Sequence, residues 1–308
     1  MNPAFSVVLF TTLAGAAQGL VVALALAALC GIQAAPAFAG RVLAIAGVML
    51  VMGLLSSFGH LGRKERAWRA VQMWRSSWLS RECIVLPVFI AWVALWWFML
   101  PLVGTQIVIP LIALLLAALL WLCTAKIYAC LRFIQEWAQP LTLVNFVLIG
   151  MASGALLASA LAATSNEPAL LSVTGPAALV LTLAAWATRA LSLRHNAALK
   201  HRSTLQSATG IHSTTLVQKS MGMSAGAFNT REFFHGRTLA ALGQVKLAFQ
   251  LLGFALPAAI AAVALASDSS VLAWWLAVAV QAPGLLAERW FFFAQAKHPQ
   301  NLYYQVVS

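Results

Sequence analysis

Long apolar segments with almost no charge recur along the chain. A helix of about 20 residues spans the ~30 Å hydrocarbon layer of a bilayer, and inside lipid a spanning helix satisfies its own backbone polar groups. The alternating pattern of a membrane β-barrel is absent from these segments. The pattern therefore predicts an all-α integral membrane protein, a bundle of eight transmembrane helices near residues 5–29, 42–59, 83–103, 107–125, 141–163, 169–191, 247–266 and 271–293.

The composition supports a membrane protein with a single domain. Apolar residues make up 62% of the chain and charged residues 8%, against about 25% charged in soluble domains. So few charges could not cover the surface of a water-soluble fold. Neither a repeat nor a low-complexity linker divides the sequence, so we interpret residues 1–308 as one membrane-anchor domain, and we expect its first span to remain uncleaved.

The basic residues fix an orientation. Every Lys and Arg except Arg41 falls on one side of the predicted topology. By the positive-inside rule this side is cytoplasmic, so we expect a multi-pass protein of the bacterial inner membrane with both termini in the cytoplasm. The membrane topology thus explains the net charge of +12. We expect these basic residues to bind anionic lipid headgroups or an acidic partner protein, and not nucleic acid.

The segment between spans two and three has the pattern of an interfacial amphipathic helix. Starting at Lys64, a helical projection puts aromatic and apolar side chains on one stripe and polar ones opposite. Trp towards lipid and Arg towards water is typical of a helix in the membrane interface. Arg75 points into the Trp stripe, so it either snorkels or serves a buried anion.

A second long segment, residues 193–244, is basic and rich in Ser, Thr and Gly. A structureless connection of this length is uncommon unless it is functional or disordered. Its end carries aromatic and basic residues unlike a linker. We expect an ordered loop that docks a partner protein through Phe228, Arg231, Phe233 and Arg237.

The histidines and cysteines do not predict a metal centre. A b-type haem needs His pairs from different spans, and His60 alone among the six His touches a span. The four Cys lie in or beside spans without CxxC spacing, so packing is the favoured interpretation. We therefore expect no haem, no metal and no redox centre in this chain.

His60 and Glu82 stand at opposite ends of the segment between spans two and three, each at a membrane boundary. A His donor and a proton-exchanging carboxylate suit a quinone, whose carbonyl oxygens accept hydrogen bonds and whose reduction consumes two protons. Arg81 could keep the carboxylate ionised or stabilise a semiquinone. The simpler alternative stays open: His60 caps a helix, and Glu82 pairs with an Arg in the interface.

The segment HLGRKERAWRAVQMWRSSWLSRE resembles the corresponding region of the dimethyl sulfoxide reductase membrane-anchor family, the C subunits of molybdenum S-oxide reductases. The opening PAFSVVLFTTLAGAAQGL, the loop FNTREFFHGR and the ending ERWFFFAQAKHPQNLYY resemble the same family. The resemblance thus runs along nearly the whole chain. One departure is Lys64–Glu65, where the family pattern leads us to expect a shorter residue such as Pro.

This resemblance implies eight transmembrane helices, no haem, and binding of menaquinone or ubiquinone. It also implies two soluble partners, an iron–sulfur subunit with four clusters and a catalytic subunit with molybdopterin guanine dinucleotide. The family's quinol-linked His and Glu match His60 and Glu82; Arg81 and Arg75 complete the predicted quinone site. No residue of this chain is expected to act on the soluble substrate.

Several functions remain open at this point. The resemblance favours the reductase type, with electrons leaving quinol. Anchors of sulfite-oxidising complexes belong to the same family and pass electrons into quinone. A purely structural tether has its quinone site elsewhere. A solute transporter is the alternative of another class, and the small number of ionisable residues predicted within the spans argues against it.

Overall fold

The structure is a computed structural model that describes residues 3–32, 34–100, 107–200, 202–217, 239–267 and 270–299, without the side chains of His60 and Leu239. Among these residues, eight helical segments are long and apolar enough to cross a membrane. This confirms the predicted fold class. Because lipid offers no partner for a free backbone polar group, each span is helical throughout.

The helices follow one another in simple order. The first six spans are α1 (Phe5–Leu29), α2 (Pro36–Ser57), α3 (Trp78–Met99), α4 (Val108–Ala129), α5 (Pro140–Thr164) and α6 (Pro168–Ala197). A short helix, α7 (Leu205–Thr209), follows. The seventh span combines α8 (Leu239–Gln250), a π-helical turn (Leu251–Ala255) and α9 (Leu256–Ala266), and the eighth is α10 (Val271–Ala294).

Four helix ends differ from the sequence prediction by five to eight residues, and the largest difference is at the seventh span, whose helix already includes Leu239 and not only residues from 247. α2 begins at Pro36, where proline suits the first helical position because its missing N–H needs no partner there. α3 begins at Trp78 because Ser77 caps it, its side chain accepting a hydrogen bond from the Ser80 N–H. α6 continues to Ala197, beyond the predicted end at residue 191.

The predicted interfacial helix is not one continuous α-helix. It is a 3₁₀ helix from Lys64 to Val71, followed by turns. The extended backbone of Ser77, which caps α3, separates this segment from α3. Trp68 and Trp74 are 59% and 52% exposed. The Trp–Arg segment, residues 64–78, therefore keeps its predicted exposed aromatic character without the predicted helix.

Helices α1 and α5 form the centre of the bundle, and they touch through glycine. A Cβ on Gly154 would overlap the backbone of Gly19 and Leu20, and a Cβ on Gly19 would overlap the carbonyl of Gly150. Small residues at such contacts let backbones approach closely, which is how helices gain packing energy in lipid. The surrounding helices pack on this pair, as shown by a core of buried side chains from α1 to α6.

The bundle has two chemically different ends. At the basic end α1, α3 and α5 begin and α2, α4, α6 and α10 end; Ser56 Oγ donates to the Ser6 carbonyl there at 3.3 Å. At the opposite end the backbone N–H of Ala35 donates to Glu167 Oε1 at 3.2 Å. The basic end carries the Trp–Arg segment and α7. The candidate functional residues lie at this end.

Replacing Gly154 with Ala should destabilise the bundle, because the new methyl group cannot fit against the α1 backbone. Overpacking of this kind costs roughly 1–3 kcal/mol. The measurement is thermal unfolding of the purified chain in detergent. Gly47→Ala is the matched control, since nothing lies within 4 Å of a Cβ at Gly47. Equal unfolding temperatures for the two variants would contradict the close α1–α5 contact.

Candidate functional site

Glu82 is a buried carboxylate at the basic end. It lies in the second turn of α3, on the same face as the buried residues Leu86, Phe89 and Val93, and is 6% exposed. Thr124 of α4 donates a hydrogen bond from its hydroxyl to Glu82 Oε1. Glu82 Oε2 accepts no hydrogen bond from any residue the structure describes. Oε2 is thus the carboxylate oxygen that has no hydrogen-bond donor among the described residues.

Arg81 and Arg75 lie together but away from the Glu82 carboxylate. Arg81 donates from Nε to the Trp74 carbonyl at 2.9 Å and from Nη2 to the Arg75 carbonyl at 2.8 Å. Its guanidinium lies 4.3 Å from the centre of the Trp78 ring. Between Arg81 and Glu82, both fully described, no ion pair forms. In this structure the Arg81 guanidinium is engaged with two backbone carbonyls of the turn before α3, and the role of Arg81 at a quinone stays a prediction.

Arg75 does not serve a buried anion in this conformation. Its side chain is exposed and stacks beside the Trp74 ring at 5.4 Å. The same pairing occurs between Arg69 and Trp68 at 5.5 Å. Cation–π pairs of this kind keep Arg charges next to aromatic rings in the membrane interface. Of the two alternatives for Arg75, the structure therefore agrees with a peripheral position.

The backbone of His60 ends a short 3₁₀ helix, Phe58–His60, that follows α2. This turn lies against the start of α1, since a Cβ on Gly59 would come within 3.2 Å of Ser6 Cβ. The His60 side chain is outside what the structure describes. Its pairing with Glu82 across a quinone site therefore stays a prediction.

A second buried charge cluster lies at the basic end, between α6 and α10. Arg189 Nε is 2.6 Å from Glu288 Oε1, an ion pair between side chains that are 2% and 1% exposed. Arg289 Nε is 3.5 Å from Glu288 Oε2. The Arg289 guanidinium also lies 4.0 Å from the centre of the Phe146 ring of α5. Two guanidinium groups thus share one carboxylate, which leaves one positive charge in excess.

Polar side chains continue from this cluster towards the surface. Arg189 Nη1 and Gln139 Nε2 both approach Ser192 Oγ, at 3.4 and 3.2 Å. Gln139 Nε2 also donates to Asn196 Oδ1 at 2.9 Å. Because Asn196 is partly exposed, a chain of polar groups joins the buried cluster to the basic surface.

The sequence analysis counted Arg189 and Arg289 with the basic charges that fix the orientation, and it did not single out Glu288. Both Arg residues are in fact buried within spans. The sequence did contain a sign of this burial. On α6 one helical stripe of buried residues includes Thr182, Arg189 and Ser192. On α10, Gln281 and Glu288 lie on the buried stripe that begins at Trp274.

This finding corrects one argument used against a transporter. Ionisable residues do lie inside the spans, and four of them, Glu82, Arg189, Glu288 and Arg289, are buried in the described bundle. Intramembrane charge is by default a functional-site hypothesis. The choice between anchor and transporter therefore cannot rest on a shortage of buried charge.

The structure cannot be compared in full with two further predictions, the docking residues and the absence of a metal site. The docking residues Phe228, Arg231, Phe233 and Arg237 lie outside the described residues. Within the described ranges no group of three or more His, Cys, Asp or Glu side chains could hold a metal ion. The absence of haem and metal from the whole chain stays a prediction.

Comparison with known proteins decides the family. A model of the family "DMSO reductase anchor subunit (DmsC)" matches residues 1–225. A curated protein from Allochromatium vinosum, named as the C subunit of a sulfite dehydrogenase, is 46% identical over 327 aligned residues that cover 100% of both chains. The chain belongs to the DMSO reductase anchor subunit family. This confirms the resemblance and makes the chain a multi-span membrane anchor of a molybdoenzyme-type complex, with catalytic and electron-transfer partners.

The shared carboxylate of the buried cluster predicts an order of stability effects. Glu288→Gln leaves two buried guanidinium groups without a counter-charge, and breaking a buried pair costs about 3–5 kcal/mol. Arg189→Met should cost less, because Glu288 keeps Arg289 as its partner. Thermal unfolding of both variants in detergent measures the order. An Arg189→Met variant that is less stable than Glu288→Gln would contradict it.

Proposed function

We propose that this chain anchors a sulfite-oxidising complex and passes electrons from it to quinone in the membrane. The observation that carries the choice of substrate is the 46% identity, over the full length of both chains, to the sulfite dehydrogenase C subunit of Allochromatium vinosum. The family model, whose name refers to dimethyl sulfoxide reductase, supports a second candidate, an S-oxide reductase fed by quinol. The sulfite type is preferred because the relative matches the whole chain.

The quinone site in this proposal is at the basic end, around Glu82 and His60. Glu82 fits a quinone in one concrete respect: Thr124 engages Oε1, and no described residue donates to Oε2. That oxygen can accept a hydrogen bond from a quinol hydroxyl or, when protonated, donate to a quinone oxygen. His60 is the proposed partner for the second quinone oxygen. Menaquinone and ubiquinone present the same pair of oxygens to these residues.

Electrons and protons balance across the proposed complex. Oxidation of one sulfite by water yields sulfate, two protons and two electrons, and reduction of one quinone consumes two electrons and two protons. The electrons pass from a partner that holds molybdopterin guanine dinucleotide through an iron–sulfur partner to the quinone. This chain contributes the quinone site and the proton-exchanging groups, so the redox centres belong to its partners.

The partners dock on the basic end in this proposal. Support comes from the charge distribution, because Arg and Lys outside the buried cluster concentrate there, as in the exposed residues Arg63, Arg66 and Arg202. Phe228, Arg231, Phe233 and Arg237 remain the proposed contacts of the long loop. The exposed rings of the Trp–Arg segment are then placed at the boundary between lipid and the docked subunits.

The basic end is cytoplasmic in this proposal, in the bacterial inner membrane, with both termini on that side. The positive-inside rule supports this orientation, since exposed Lys and Arg mark the cytoplasmic side of a membrane protein.

Substituting Glu82 with Gln should abolish most quinone-linked turnover while the complex still assembles. The amide keeps the shape of the side chain but cannot exchange a proton, and general acid–base groups contribute roughly 10²–10⁴-fold to rate. The measurement is sulfite-driven reduction of a soluble quinone analogue by the purified complex. Transfer to an artificial acceptor that bypasses the anchor should be unchanged.

Glu65→Gln is the matched control, because Glu65 is exposed on the 3₁₀ helix of the Trp–Arg segment. Normal quinone turnover by an assembled Glu82→Gln complex would sink the site assignment. A complex that reduces S-oxides with quinol but does not oxidise sulfite would instead select the second candidate.

The proposed orientation predicts opposite labelling of two cysteines. Cys30 and Cys130 are both exposed, Cys30 after α1 at the opposite end and Cys130 after α4 at the basic end. In variants that keep one Cys each, a membrane-impermeant maleimide should label Cys30 in spheroplasts. It should label Cys130 only after the membrane is opened. The reverse pattern would place the basic end outside.

A further inference from the structure

A small cavity with both polar and apolar walls lies between α1, α4, α5 and α10, beside the Glu82–Thr124 hydrogen bond. Its volume of about 10 Å³ is at the lower limit for holding one water molecule. Its wall includes Thr124 and Trp121 of α4, Gly15 and Gln18 of α1, and Arg289 of α10. The cavity therefore touches both Thr124, the hydrogen-bond partner of Glu82, and Arg289 of the Arg189–Glu288–Arg289 cluster.

The wall of this cavity carries an unsatisfied donor. Trp121 is 4% exposed, and its indole N–H has no acceptor among the described residues. A buried N–H without an acceptor costs free energy, and a water molecule is the usual way in which proteins satisfy one. Arg289 offers further donors to the same space. A water molecule held here would accept from these groups and have its own protons to donate.

Thr124 is placed to receive such a proton. Its hydroxyl has one proton, which it donates to Glu82 Oε1, and its oxygen lone pairs can accept from a water in the cavity. A hydroxyl that accepts from one neighbour and donates to another can relay a proton by exchanging it. The order of groups is then cavity water, Thr124 Oγ1 and Glu82 Oε1.

The charges around the cavity suit this role. The cluster of Arg189, Glu288 and Arg289 carries one positive charge in excess, and Glu82 is the buried carboxylate on the other side. Glu288 fixes Arg289 at the cavity wall, while Arg81 on α3 is engaged with backbone carbonyls. Polar groups then continue through Ser192 to the partly exposed Asn196.

We propose that the cavity holds a water molecule that delivers protons from the basic end to Glu82 through the Thr124 hydroxyl. The inference rests on the proposed quinone function and adds the route by which its site is supplied. Each proton that Glu82 gives to a reduced quinone oxygen is replaced by one from the cavity water, and the hydroxide left in the cavity regains a proton from water that exchanges with the basic end. Arg289 and Trp121 are positioning residues for the water.

The test compares Thr124→Val and Thr124→Ser in the assembled complex. Thr124→Val removes the hydroxyl at nearly constant volume, whereas Thr124→Ser keeps it. The matched control is Thr182→Val, because Thr182 is also buried, in α6, but its hydroxyl donates only to the Ala178 carbonyl of its own helix, at 2.7 Å. Four quantities are measured: sulfite-driven reduction of a quinone analogue, its ratio in H₂O and D₂O, the co-purified quinone content, and transfer to an artificial acceptor.

Thr124→Val should lower quinone turnover at least about tenfold. This is less than the roughly 10²–10⁴-fold that a general acid or base contributes, because Thr124 passes the proton on to Glu82 and is not itself that group. The ratio of rates in H₂O and D₂O should rise, because proton delivery becomes the slow step. Quinone content and artificial-acceptor transfer should stay at wild-type levels. Thr124→Ser should recover turnover to within about threefold of wild type, a difference of under 1 kcal/mol in barrier. Thr182→Val should match wild type.

Unchanged turnover in Thr124→Val would overturn the relay and leave the quinone function standing. Lost quinone content in Thr124→Val would also overturn it, since the hydroxyl would then shape the site and not move a proton. A wild-type complex without quinone turnover would refute the proposed function itself, and the relay with it.

If Thr124→Val fails to assemble, Gly15→Ala replaces it. The added methyl would lie beside the cavity with its nearest neighbour, Gly150 Cα, 3.9 Å away, so it takes up space without a clash. The same fall in turnover and rise in isotope ratio is expected from the displaced water. Wild-type behaviour of Gly15→Ala would then overturn the relay.

Discussion

A buried charge in a membrane bundle must be paired or hydrogen-bonded, and this constraint shapes the basic end of the molecule. Leaving an ion unpaired in a low-dielectric interior costs several kcal/mol or more. The chain meets this cost in two places: Thr124 supports Glu82 between α3 and α4, and Arg189 and Arg289 share Glu288 between α6 and α10. Both arrangements require helices that are distant in sequence to meet at one end.

The rest of the bundle provides that meeting point. Glycine contacts bring α1 and α5 into backbone contact along the centre, so the remaining helices surround a narrow axis. At the basic end, Tyr128, Trp137, Phe146 and Phe292 pack ring to ring, with centroids 5.4 to 5.8 Å apart for Tyr128 and its three neighbours. Trp137 also donates from Nε1 to the Phe292 carbonyl at 3.0 Å. The last helix is thereby fixed against α4 and α5, which places Arg289 beside the cavity.

This arrangement fits the proposed function, in which the anchor exchanges protons with quinone and receives electrons from its partners. Glu82 has an oxygen that accepts from no described residue, and it lies near the start of α3 at the basic end. The exposed Trp–Arg segment lies at the same end, directly before α3. In the proposed function, the partners hold the redox centres and this chain supplies the quinone site.

The sequence alone determined the number of spans, their approximate ends and the concentration of basic residues at one end. These follow from local physics: hydrophobic length decides whether a segment can cross lipid, and charge in short loops decides orientation. It also singled out Glu82, because this carboxylate and His60 stand at the membrane boundaries of spans two and three. The helix start at Trp78 was readable in principle from Ser77, since a cap residue acts on its own helix.

Tertiary structure decided which charges are buried and with which partners. From the sequence, Arg189 and Arg289 counted only as basic charges of one side, because a helical stripe shows a face of the helix but not what that face contacts. Glu288 and Thr124 acquire their roles only when α10 meets α6 and α3 meets α4. The direction of the Arg81 side chain, towards carbonyls and away from its neighbour Glu82, likewise depends on the turn before α3. A local pattern sets what a segment can be, whereas the partner of a buried charge is set by packing between segments far apart in the chain.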